Sequence, residues 1–163
     1  DLHLCDRRQR QMCIRDRQEG NQVLDVGCGS GILSIVALKL GAQHVVGTDI
    51  DEDCIASSYD NFAVNHLDKS LGDFYVGNLI DDEALQDKVG KEKYDVVVAN
   101  ILADIIIPMA PALAASMKPG AKLITSGIID FKEQEVADAL IAAGLQVVES
   151  NAQGEWRNIT ACK

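Results

Sequence analysis

The chain has 163 residues, 47% of them apolar, and a formal net charge of −10. That length suffices for one buried core and is short for two comfortable domains. The acidic balance disfavours a general nucleic-acid surface, because neutralising phosphates takes clustered Lys and Arg; it suits a basic protein partner, or simply solubility.

In chain order, residues 1–20 stand apart. Arg7, Arg8, Arg10, Arg15 and Arg17 alternate with Asp6, Asp16 and Glu19 without a steady apolar face. Met12-Cys13-Ile14-Arg15-Asp16-Arg17 looks more like translated sequencing-adapter text than like a basic arm for RNA, so no function is drawn from this segment. Residues 21–163 read as the domain proper. Short β-branched runs at 22–26, 44–49, 74–77, 94–99, 122–126, 145–150 and 157–162 alternate with helix-period segments, the pattern of a mostly parallel α/β sheet with helices on its faces. Ile32, Ile35, Val36 and Leu40 recur at helical spacing and stop at Gly41; Val136, Ala137, Leu140 and Ile141 do so before Gly144, so both glycines read as helix C-caps. Helices are also expected over 53–65 and 108–117, a charged surface segment with a short helix over 81–93, and a turn at Lys118-Pro119-Gly120. No run of about 18 apolar residues occurs and the arginine-rich start has no apolar stretch, so neither a membrane span nor a secretory signal is expected. Cys5, Cys13, Cys28, Cys54 and Cys162 include no C-x-x-C pair, and His3, His44 and His66 form no ligand set. A cytoplasmic protein without a metal is the simplest reading.

Val23-Leu24-Asp25-Val26-Gly27-Cys28-Gly29-Ser30-Gly31 is an apolar strand running into three alternate glycines and then a helix. Glycine lets the backbone turn sharply and approach a ligand, and the helix start adds unpaired N–H donors. A dinucleotide fingerprint would require glycine where Ile32 or Ser34 stands, which disfavours an NAD-dependent oxidoreductase; a triphosphate loop would require Gly-Lys-Ser/Thr where the helix opens Gly31-Ile32-Leu33. Asp49 ends the second apolar strand 22 positions after Gly27, close to the roughly 20 residues expected for a carboxylate that bonds a ribose diol. Asp51 competes with it, or caps the next helix. Asn78, after the third strand, is placed to meet an adenine edge. Asn100 ends the fourth, where it either borders the ligand crevice or caps the following helix. Cys28 and Trp156 are assigned to packing rather than to nucleophilic or stacking roles.

These four stations resemble the class I, Rossmann-like S-adenosylmethionine-dependent methyltransferases over residues 22–163. Leu24 through Ile35, Gly47-Thr48-Asp49-Ile50-Asp51, Val97-Val98-Ala99-Asn100-Ile101-Leu102-Ala103, Ser126-Gly127-Ile128 and Glu155-Trp156 narrow the resemblance to the PrmA family, whose members methylate amino groups of the eleventh protein of the large ribosomal subunit. The resemblance implies a seven-stranded sheet of order 3-2-1-4-5-7-6 with the last strand antiparallel. It implies S-adenosyl-L-methionine as cofactor, with Asp25, Gly27, Gly29, Asp49, Asn78 and Asn100 as the binding set. It also implies a basic ribosomal protein as substrate, methylated on lysine side chains or its N-terminus. The family's N-terminal recognition domain and threonine-rich cofactor loop have no counterpart in residues 1–20, so the chain is expected to be a catalytic-domain piece. Methyl transfer from a sulfonium is an in-line displacement that needs alignment and exclusion of water rather than a covalent nucleophile. A lysine amine must first lose its proton; the carbonyl of the Asn100 side chain, or a neighbouring backbone carbonyl, would hold it while water takes the proton. The rivals are the same fold acting on a small molecule, RNA or glutamine, and a non-catalytic module of the same fold.

Overall fold

The computed structural model describes residues 20–163, so the expectation for residues 1–20 lies, Gly20 apart, outside the described residues. The chain divides into two compact units, Asp1–Gly77 and Asn78–Lys163.

In the first unit, β1 (Gln22–Val26), β2 (His44–Asp49) and β3 (Gly72–Val76) run parallel in the order β3-β2-β1. Helix α1 (Ile32–Lys39) joins β1 to β2, and α2 (Glu52–Val64) precedes β3. Strands β1 and β2 are buried along nearly their whole length rather than on alternate residues, as parallel strands covered on both faces must be. Leu24, Val45 and Phe62 are completely enclosed. Helix α1 ends as its sequence foretells: Leu40 caps it, Gly41 takes φ +100°, its N–H donates to Leu38 O, and that of Ala42 donates to Ala37 O. This paired closure needs a left-handed residue after the cap, which glycine adopts without a Cβ penalty.

The second unit holds β4 (Tyr94–Asn100), β5 (Met117–Ile129), β6 (Gln146–Gln153) and β7 (Trp156–Cys162), in the order β4-β5-β7-β6. Strands β4 and β5 are parallel, and β7 is antiparallel to both its neighbours. Helices α3 (Glu83–Val89), α4 (Ala103–Ser116) and α5 (Glu133–Ala142) complete it. Tyr94, Ile106, Leu113, Met117, Leu123, Ile128, Leu140 and Ile159 are its enclosed side chains. Helix α5 ends as α1 does, with Gly144 N–H donating to Ile141 O and Leu145 N–H to Leu140 O.

Two boundaries differ from the sequence reading. Helix α4 starts at Ala103 and carries Pro108 and Pro111 inside it; its N-cap, Leu102, has no capping side chain, so nothing in the sequence marks the start, and Pro108 was mistaken for it. The Lys118-Pro119-Gly120 turn exists as a bulge inside β5. Tyr94 pairs with Met117 while Val96 pairs with Lys122, so the intervening residues loop out of the ladder. There Gly120 N–H donates to Lys163 O and Lys163 N–H to Ala121 O.

Candidate functional site: the glycine turn and the end of β4

The turn after β1 is built from three glycines with positive φ: Gly27 at +69°, Gly29 at +53° and Gly31 at +75°. A run of alternating left-handed residues is accessible only to glycine at ordinary cost. The turn is then fastened from two elements, β2 and α2. Gly27 N–H and Cys28 N–H both donate to Thr48 O at the end of β2, at 2.8 and 3.0 Å. From α2, the Ser58 hydroxyl donates to Gly29 O at 3.0 Å and the Asn61 amide to Ser30 O at 2.8 Å. A Cβ at Gly31 would lie 2.9 Å from Ser58 Oγ and 3.2 Å from its Cα, so the glycine also permits the close approach of α2. Over Gly29, by contrast, a Cβ would meet nothing within 4 Å; the turn is open on that side.

Asp49 and Asp51, left as competitors by the sequence, separate cleanly. Asp51 caps α2, its carboxylate accepting from Asp53 N–H at 2.9 Å. Asp49 is half-buried at the glycine turn: Oδ2 accepts from Gly29 N–H at 2.9 Å and Oδ1 from Asp51 N–H at 3.1 Å. The Cys54 side chain also hydrogen-bonds this carboxylate; a carboxylate has about four acceptor positions, so it can still receive a further hydroxyl donor.

Asp25, expected in the cofactor-binding set, bonds to α1. It is wholly buried, and Oδ2 accepts from both the backbone N–H and the hydroxyl of Ser34, at 3.0 and 2.7 Å. It thereby ties β1 to the first turns of α1. Burial outweighs those bonds and pushes its carboxyl up from 3.8 to about 6, with a small contribution from the charge of Asp49. Its Oδ1 has no partner among the described residues. Cys28, 5% exposed, is pushed up to about 12 by burial and then by the charge of Asp25. A thiol so enclosed fits the packing role expected of it.

In the second unit, Asn78 is half-buried and shapes its own turn: Oδ1 accepts from Ile80 N–H at 3.1 Å and its backbone carbonyl from Asp82 N–H. Asn100 ends β4 and is exposed. Because Leu102 caps α4, Asn100 is not a helix cap. Instead its Oδ1 accepts the Ser126 hydroxyl at 2.8 Å, Ser126 being its register partner on β5. Next to it Gly127 has φ +82°, and a Cβ there would approach Ile101 O to 3.0 Å and Asn100 Oδ1 to 3.2 Å.

Trp156, expected to pack beside the last strand, starts β7 and is 54% exposed. His44 begins β2 and meets Asp73 at 3.1 Å, and His66 follows the end of α2 with φ 58°. No cluster of metal-ligating side chains occurs among the described residues. No helix among them is long and apolar enough to cross a membrane. The supports from Ser58, Asn61 and Ser126 have no local sequence signal beyond the Ser126-Gly127-Ile128 motif.

Comparison with known proteins places this geometry in a family. The family model for ribosomal protein L11 methyltransferase (PrmA) matches residues 8–163. A ribosomal protein L11 methyltransferase of Agathobacter rectalis is 66% identical over 160 residues, covering 94% of this chain and 50% of the relative. Another, of Lachnospira eligens, is 53% identical over 145 residues, covering 88% and 46%. The chain thus spans about half the length of the curated relatives it matches. Among solved structures, the ribosomal protein L11 methylase of Lactobacillus delbrueckii subsp. bulgaricus superposes with a TM-score of 0.81 at 30% identity, over 93% of this chain and 75% of that one. An S-adenosylmethionine-dependent methyltransferase of Mesorhizobium loti shares the fold at 11% identity, with a TM-score of 0.80 over the full length of both. The fold is the seven-stranded, mostly parallel one of the class I methyltransferases, S-adenosyl-L-methionine is the cofactor that family and fold imply, and the chain belongs to the ribosomal protein L11 methyltransferase (PrmA) family.

Proposed function

We propose that this chain is the methyl-transferring part of a protein that moves methyl groups from S-adenosylmethionine to amino groups of ribosomal protein L11, acting in the cytoplasm on a basic substrate. The observation that carries the reading is the Asp49 carboxylate, held by the Gly29 N–H at the mouth of the glycine turn. When bound, the cofactor supplies an electrophilic methyl on a sulfonium.

The residues present suit that cofactor. Asp49, with acceptor capacity left on its carboxylate, answers a ribose diol. The open side of Gly29, with Gly27 beside it, leaves backbone exposed where a methionine moiety needs close approach. Asp25 supports the turn by anchoring α1 through Ser34. Asn78 and Asn100 offer amides at the ends of their strands for the adenine edge and the transfer end of the site. The incoming lysine or terminal amine has to arrive neutral, and a backbone or amide carbonyl near Asn100 would hold it in line with the methyl while water carries its proton away. Asn100→Ala is expected to slow turnover; unchanged turnover would remove Asn100 from that role.

The first test is calorimetric titration of S-adenosylmethionine into the chain, with Asp49→Ala as control and NADH as comparison ligand. Saturable binding that weakens in the variant supports the reading, and mass spectrometry of L11 mixed with the protein and cofactor then counts the methyl groups. Binding of NADH in place of S-adenosylmethionine would overturn it.

A further inference from the structure

Asn100 carries both an acceptor and a donor, and which of them faces a ligand decides what it recognises. Its Oδ1 accepts the Ser126 hydroxyl at 2.8 Å. Ser126 is 9% exposed and is fixed to Asn100 by strand register, so its oxygen cannot follow the amide around. A planar amide whose oxygen is drawn toward β5 turns its NH2 the other way. We propose that Ser126 is a positioning residue that locks the Asn100 amide with its oxygen toward β5 and its NH2 outward, making Asn100 a hydrogen-bond donor to the cofactor rather than the acceptor that grips the incoming amine.

The task of holding that amine then passes to main chain. Gly127, at φ +82°, has no side chain where a Cβ would sit 3.0 Å from Ile101 O, so no side chain at 127 stands over that carbonyl. Ser126 and Gly127 thus act as a pair: one hydroxyl sets the amide, and no side chain at 127 covers the backbone acceptor beside it. A neutral acceptor suits an amine that must shed its charge before attack, because a carboxylate in its place would favour the protonated form.

The donor assignment rests on S-adenosylmethionine being the ligand, whereas the Ser126–Asn100 lock is a property of the free protein, and the experiment reads the two separately. Side-chain amide spectra of the 15N-labelled, ligand-free chain are compared for wild type, Ser126→Ala and Ser126→Thr. Calorimetry with S-adenosylmethionine is run on the same proteins and on Asn100→Asp, with thermal melts as the check on folding. Ser126→Ala is expected to move the Asn100 amide resonances and weaken binding about fivefold, the order of one lost neutral hydrogen bond. Ser126→Thr, which keeps the hydroxyl, is expected to restore both. Asn100→Asp keeps an acceptor for Ser126 but loses the donor, and is expected to bind about tenfold or more weakly. Unmoved Asn100 resonances in Ser126→Ala, or a threonine that fails to rescue, would overturn the lock. An Asn100→Asp chain that binds as tightly as wild type would overturn the donor assignment. If wild type itself fails to bind S-adenosylmethionine, the functional reading falls, and the spectra alone decide whether Ser126 sets the amide.

Discussion

The glycine turn and the end of β4 are two ends of strands that do opposite things with their polar groups. At the turn, the protein binds its own backbone groups. Thr48, Ser58, Asn61 and Asp49 fasten consecutive backbone groups from Gly27 to Ser30, and Asp25 anchors the helix that follows. At the end of β4, a single hydroxyl orients an exposed amide, and the nearby Leu102 and Ile105 are 66% and 42% exposed. On the proposed function, a cofactor that always arrives in the same form would be met by a prebuilt cradle, and an amine carried on a protein by a few oriented atoms beside uncovered apolar surface.

That contrast predicts that the turn is where substitutions cost most. Asp49→Ala removes the acceptor of two backbone N–H groups and the proposed diol ligand together. Hydrogen bonds to a charged group contribute about 1.5–3 kcal/mol each, so binding of S-adenosylmethionine should weaken by on the order of 100-fold by calorimetry. A smaller loss would mean that the turn is less dependent on this carboxylate than its geometry indicates. Next in size, Gly31→Ala forces a side chain into left-handed backbone and against Ser58, where the Cβ would stand 3.2 Å from backbone. Strain and overpacking of about 2 kcal/mol should lower the melting temperature by about 4–8 °C. An unchanged melt would show that α2 can withdraw from the turn.

Asp25 sharpens the comparison through pH. Its folded value of about 6 lies above the ordinary 3.8, so between those values the folded protein holds more proton at this site than the unfolded chain. Its contribution to stability is therefore greatest below about pH 4 and is lost as pH rises toward 6 and beyond, by at most about 3 kcal/mol. Thermal melts of wild type and Asp25→Asn across that window should converge at high pH less than at low pH, with the asparagine variant lacking this part of the slope. Parallel curves would mean that the buried carboxyl titrates as it does in the unfolded chain. The smallest effect is expected at Asp51, whose carboxylate caps α2. Asp51→Ala should cost about 1 kcal/mol of stability and leave S-adenosylmethionine binding within about twofold, because the N–H that Asp49 uses is backbone.

What could be read from the sequence follows the same division. Strands β1 and β2 appear in the structure with the bounds their apolar runs suggested, and Gly41 and Gly144 close their helices as foreseen, because hydrophobic runs and left-handed glycines are local signals. The glycine turn and Asp49 were legible for that reason. Ser58 and Asn61 were not, since they reach the turn from 29 and 31 residues away, and no local pattern distinguishes them from other polar residues on a helix. Ser126 became meaningful only once the β4–β5 register placed it opposite Asn100. The start of α4 was missed because Leu102 supplies no cap. The extent of β5 was missed because a proline and a glycine that ordinarily end a strand here lie in its bulge.

Cys28 gives the turn a built-in clock. The residue is 5% exposed, with Ser58 Oγ 3.8 Å from its sulfur, and a thiol so enclosed is reached by an alkylating reagent while the loop is momentarily open. The rate at which Cys28 is labelled therefore counts openings of the cradle. Its slowing by a bound ligand measures how firmly that ligand holds the cradle shut, without any assay of the reaction itself.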